Sequence, residues 1–146
     1  MYYNHRNSLV FAKKRISDIH VEIDAAQKLF PAYGPNDFKF LVDVAELVYA
    51  ARRAVANSYI SRFYLKGEAR QTFFDFMVKD LERSLEWLNK RNEENWLDYA
   101  EVDLEGKKHL GKNFFKYKTE INNLRTNCEN FFVETVKSIA GGMKMV

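Results

Sequence analysis

Four side chains in this 146-residue chain have the chemistry of a nucleophile or a soft metal ligand: Cys128, His5, His20 and His109. Their spacing organises neither activity. A catalytic thiol is activated by a nearby base or cation, and no histidine stands near Cys128 in sequence. Structural zinc takes about four ligands, typically in close pairs such as CxxC or HxxxH, and these four residues form no pair. No glycine-rich phosphate loop, GxSxG elbow, HExxH or calcium-loop pattern is present. Cys128 is expected to be a small buried hydrophobe, and the chain is expected to hold no cofactor and no metal.

Two charged stretches remain. "DLERSLEWLNKRNEE" gathers Asp80, Glu82, Glu86 and Glu93. Paired carboxylates do acid–base work only where a cleft perturbs them. Here Lys79, Arg83, Lys90 and Arg91 interleave at helical spacing, so i,i+4 pairs such as Glu86–Lys90 account for them. "KKHLGKNFFKYK" sets Lys107, Lys108, Lys112, Lys116 and Lys118 among Phe114, Phe115 and Tyr117. Such interleaving can grip nucleic acid. Phe114 and Tyr117, however, fall on a heptad seam that faces inward, which leaves the lysines as an exposed helix face with the acidic segment before them as counter-charge.

The composition narrows the classes further. The net charge is +3, too small to imply nucleic acid without a concentrated patch. Apolar residues are 47% and charged residues 29%, while Gly and Pro number only six and two. That balance predicts one packed domain built from long helices. No apolar run reaches the roughly 20 residues that span a bilayer, and the N-terminus has no apolar leader. A single cysteine fits a reducing compartment. The expected setting is the cytoplasm or nucleus, as a monomer with no membrane or nucleic-acid partner.

The elements that position these side chains are read from periodicity. Leu9, Ala12, Ile16, Ile19, Ile23, Ala26 and Leu29 or Phe30 recur at steps of three and four, one stripe of a helix from about Tyr2 to Phe30. "FPAYGPND" ends it: Pro31 and Pro35 cannot continue a helix, Gly34 suits a left-handed turn, and Asn36 or Asp37 can cap the next helix. A second helix runs from about Asp37 to Leu65, with Phe38, Leu41, Ala45, Val48, Val55, Tyr59 and Phe63 inward. Arg52 falls where that stripe should be apolar. Gly67 ends it. A third helix covers about Glu68 to Arg91, with Phe73, Phe74, Met77, Leu81, Leu85 and Leu88 inward.

Glu93, Glu94, Asp98, Glu101, Asp103 and Glu105 make residues 92–106 acidic, and Trp96 and Tyr99 can pin that stretch as a short helix. The last helix runs from about Lys107 to Ile139. Leu110, Phe114, Tyr117, Ile121, Leu124, Cys128 and Phe131 form its seam. A glycine pair ends it, and residues 140–146 are expected to fray. The fold class is all-α, a single antiparallel bundle of about four long helices over 1–146.

Three of these segments resemble one known family. "YYNHRNSLVFAKK" (Tyr2 to Lys14) resembles the opening of the Ariadne domain, the C-terminal helical domain of Ariadne-type RING-between-RING (RBR) E3 ubiquitin ligases. "FLVDVAELVYAARRAVANSYISRFYL" (Phe40 to Leu65) is similar to the second helix of that domain, and "FFDFMVKDLERSLEWL" (Phe73 to Leu88) to its third. Order and spacing agree over residues 2 to about 95. The acidic segment and last helix agree only in kind.

The resemblance implies a non-catalytic regulatory domain, part of a larger ligase whose RING1, IBR and RING2 hold the zinc and the catalytic cysteine. In that family the domain folds back over RING2 and restrains ubiquitin transfer until a neddylated cullin–RING ligase releases it. The contacts come from a Phe-Glu pair in the first helix and a Glu after the third. They map onto Phe11, Ala12 and Glu93, and Ala12 departs from the family glutamate. The alternative from another class is a free-standing helical interaction module. A cysteine-rich zinc region in the same polypeptide separates the two.

Overall fold

The computed structural model gives α1 (Tyr2–Leu29), α2 (Pro35–Arg62), α3 (Glu68–Asn92), a turn of 3-10 helix (Trp96–Tyr99), β1 (Ala100–Val102), β2 (Lys108–Leu110) and α4 (Lys112–Lys144). The structure describes residues 2–62, 64–102, 104–106 and 108–144, with side chains over 7–138 apart from 63, 102, 103, 107 and 108. Phe63, Asp103 and Lys107 therefore lie outside the described residues. The all-α class is borne out, with one small hairpin added. No helix among the described residues is long and apolar enough to cross a membrane.

The turn between α1 and α2 uses its residues differently from the expectation. Pro35 takes the first helical position, where its missing N–H costs nothing. Asp37 does not cap from outside. Its carboxylate sits one turn in and accepts the Gly34 N–H at 2.9 Å, the back-reaching half of a capping box. Gly34 needs no left-handed backbone. Among the described residues positive φ falls only on Gly67 and Gly106, in the connection before α3 and in the hairpin loop.

α1 packs chiefly on α2, and α3 on α4, with α2 touching both α3 and α4. Ile19, Ala26, Phe38, Leu41, Val44, Val48, Leu81, Leu85, Leu88 and Ile121 lose essentially all contact with water. Phe30, not Leu29, closes the α1 stripe. Three aromatics expected inward are at least partly exposed: Phe73, Tyr59 and Phe131. Phe73 is one step, about 100°, round the helix from buried Phe74. In α4 the seam leaves the heptad after Cys128. Phe132 and Thr135 turn inward in place of Phe131, at eleven residues from Ile121 and Leu124. That spacing follows the natural 3.6-residue turn instead of a 3.5-residue supercoil.

The acidic segment is where the structure departs most from periodicity. Trp96 is buried, and its ring lies 5.3 Å from Phe38 and 6.0 Å from Phe114. Tyr99 stacks on Tyr117 with centroids 4.8 Å apart. The segment is thus pinned by the two aromatics named for it, through a single 3-10 turn whose start Asn95 caps by accepting the Leu97 N–H. The chain then pairs Ala100 with Leu110, Glu101 with His109 and Val102 with Lys108. Strands of three residues are too short for an alternation signal. The hairpin moves the start of the last helix from Lys107 to Lys112, and that helix continues past Ile139 and the glycine pair to Lys144.

Candidate docking cleft

Phe11 and Ala12 lie on α1, in the turn that passes the end of α3. Glu93 caps the C-terminus of α3. Together with Arg15 of α1 and Arg52 of α2 they line one open cleft of about 310 Å³. Residues chosen from distant parts of the sequence thus share a single surface feature. Phe11 is 71% exposed, so its ring is not a core side chain. Ala12 is 7% exposed and belongs to the core cluster, at the edge of the cleft. Glu93 is exposed, and its carboxylate accepts from Asn89 Nδ2 at 3.0 Å.

Two arginines complete the cleft, and sequence reasoning missed both as site residues. Arg52 shows in the sequence only as an interruption of an apolar stripe. Its Nη2 lies 3.2 Å from Glu86 Oε1 of α3, with 12% of the arginine side chain exposed. Glu86 therefore pairs across to α2, and not with Lys90 along its own helix. Arg15 donates from Nη1 to Glu22 Oε1 at 3.0 Å and from Nη2 to the Asn92 carbonyl at 2.8 Å. Glu22 Oε2 accepts in turn from Trp96 Nε1 at 3.3 Å. The only sequence sign of this network is a Glu two turns after an Arg beside the α1 stripe.

The cleft is lined by neither histidine nor cysteine. Cys128 is buried on α4, against Ser84 of α3. Burial pushes its thiol up to about 11, against a smaller lowering by the Ser84 hydroxyl. Among the described residues no three His, Cys, Asp or Glu side chains gather as metal ligands. A second exposed apolar patch, Phe73 and Phe76 beside Ala69, sits at the other end of α3, and none of the expected contact residues falls on it.

The raised thiol gives a first prediction. A group with a raised folded pKa stabilises the fold below its unfolded pKa, about 8.5 for cysteine. That contribution is lost as pH rises towards 11. Burial thus keeps the folded thiol protonated at pH 7.5 and out of reach of reagent. Native protein should therefore resist a thiol reagent at pH 7.5 and react fully in urea. Rapid stoichiometric labelling of native protein would contradict the burial.

The fold is a helical bundle with an open cleft lined by residues of α1, α2 and the end of α3. No family model and no solved structure matches the chain. Over 143 residues, 97% of its length, it is 27% identical to "Probable E3 ubiquitin-protein ligase rbrA" of Dictyostelium discoideum. The chain spans 26% of that protein's length.

Proposed function

We propose that the chain is an Ariadne-type regulatory domain of an RBR E3 ubiquitin ligase, which docks through the Phe11–Glu93 cleft on RING2 of the same polypeptide and restrains ubiquitin transfer. The chain itself performs no catalytic step. The zinc and the reactive cysteine belong to RING2 and its neighbours. A neddylated cullin–RING ligase is the releasing partner. The reading is supported by similarity to an E3 ligase along almost the whole chain. The single observation that carries it is the meeting of Phe11 and Glu93 in one cleft.

A ring as exposed as Phe11 is poorly used by the isolated domain. Seated in an apolar socket on a partner it becomes an anchor, because aromatic residues dominate the energy of interfaces. Glu93 is a rim charge, and an exposed ion pair contributes at most about 1 kcal/mol. The test is binding in trans. The 146-residue chain is titrated against a separately expressed RING2 module of the full-length ligase. Phe11→Ala should weaken binding strongly. Glu93→Ala should weaken it up to about fivefold, the equivalent of that 1 kcal/mol. No measurable binding by the wild-type chain, or a polypeptide that carries no zinc-binding RING2, would count against the reading.

A further inference from the structure

We propose that Arg15 is the positioning residue of this cleft, holding the backbone that carries Glu93 at a fixed place relative to Phe11. The inference rests on the docking reading above. Phe11 and Glu93 belong to α1 and α3, which form no major helix pair with each other. α2 packs on both and sets their approximate spacing, while a direct tie between them can fix it more closely. Arg15 spans the gap. One prong of its guanidinium is fixed by Glu22 on its own helix. The other donates to the Asn92 carbonyl, which belongs to the same peptide group as the Glu93 N–H.

Carbonyls in the last turn of a helix have no intrahelical partner, so this contact satisfies one of them. Trp96 closes the bracket from the far side, because its indole N–H reaches the same Glu22 carboxylate. Glu93 is thus held between two ties that converge on the Arg15–Glu22 pair. Only 18% of the Arg15 side chain is exposed, which leaves little of it to touch a partner directly. The residue acts through Phe11 and Glu93. A planar fork with separate prongs is what the geometry uses, and a lysine ammonium lacks that fork.

The test is a double-mutant cycle on binding of the RING2 module to the 146-residue chain, with folding followed by circular dichroism. Arg15→Met should weaken binding about as much as Glu93→Ala does, up to about fivefold, and Glu93→Ala should then add nothing, since its carboxylate is no longer placed. Arg15→Lys should not rescue. If Arg15→Met fails to fold, Glu22→Gln, which keeps an acceptor for Trp96, should show the same loss of Glu93 coupling. Rescue by lysine would overturn the proposal in favour of charge alone, and so would additive effects of Arg15→Met and Glu93→Ala. Phe11→Ala separates the two levels. If it weakens binding and the Arg15 and Glu22 variants do not, positioning fails and docking stands. If it leaves binding unchanged, the docking reading itself is overturned.

Discussion

Phe114→Ala should lower folding stability by about 3–5 kcal/mol, the cost of truncating a fully enclosed aromatic. The side chain is 1% exposed. Its ring centroid lies 6.3 Å from Phe38, 6.0 Å from Phe40 and 6.0 Å from Trp96. These rings come from α2, the 3-10 turn and α4, so one truncation opens a void where three segments meet. The neighbouring cores are close-packed and collapse only partly into such a void. Because domains of this size are stable by about 5–15 kcal/mol in total, the variant should stand close to unfolding at physiological temperature. Urea denaturation should show a much lower midpoint with little change in slope. Phe115→Ala, next in sequence but 49% exposed, should cost less than about 1.5 kcal/mol. Equal losses for the two would mean that the cluster is not the centre of the core.

That contrast also marks how far periodicity carries. The inward faces of α1, α2 and most of α3 are legible because Ile19, Val44, Leu81 and their partners repeat at the spacing of a helix turn. Phe114, Tyr117 and Cys128 follow from the same rule. It fails where spacing stops being the deciding quantity. Phe131 loses its inward place because α4 turns at its natural pitch and not as a coiled coil. The 100–110 hairpin is invisible because its strands are three residues long and its stabilising partners, among them the Tyr33 hydroxyl on the Leu110 carbonyl at 3.1 Å, come from another part of the chain. The cleft is legible only in part. Phe11 and Glu93 stand out through a family likeness, and no rule of local spacing would have joined them. Arg15 and Arg52 escape because a bridging arginine is defined by its partners in space, and those are distant in sequence.

The second large effect follows from the regulation proposed above. Under the proposed docking, closed and open arrangements of the domain on RING2 would form a two-state equilibrium. Holding it about 99% closed takes only about 2.7 kcal/mol. Removal of a central aromatic anchor from an interface commonly costs about 2 kcal/mol, which shifts that equilibrium about thirtyfold. Phe11→Ala should therefore raise the open fraction from about 1% to about 20%. Phe11 is exposed in the isolated chain, so its truncation should leave folding stability within about 0.5 kcal/mol of wild type. Few substitutions separate regulation from stability so clearly. A core residue such as Phe114 would disturb both.

The most direct test is autoubiquitination of the full-length polypeptide in the absence of any cullin–RING partner, wild type against Phe11→Ala, with both shown to be folded. Docking through this cleft predicts a rise in activity of about twentyfold for the variant, which leaves about a further fivefold for an added neddylated cullin–RING ligase to release. A folded Phe11→Ala protein whose activity stays at the wild-type level would contradict the docking role of Phe11 and of the cleft it marks.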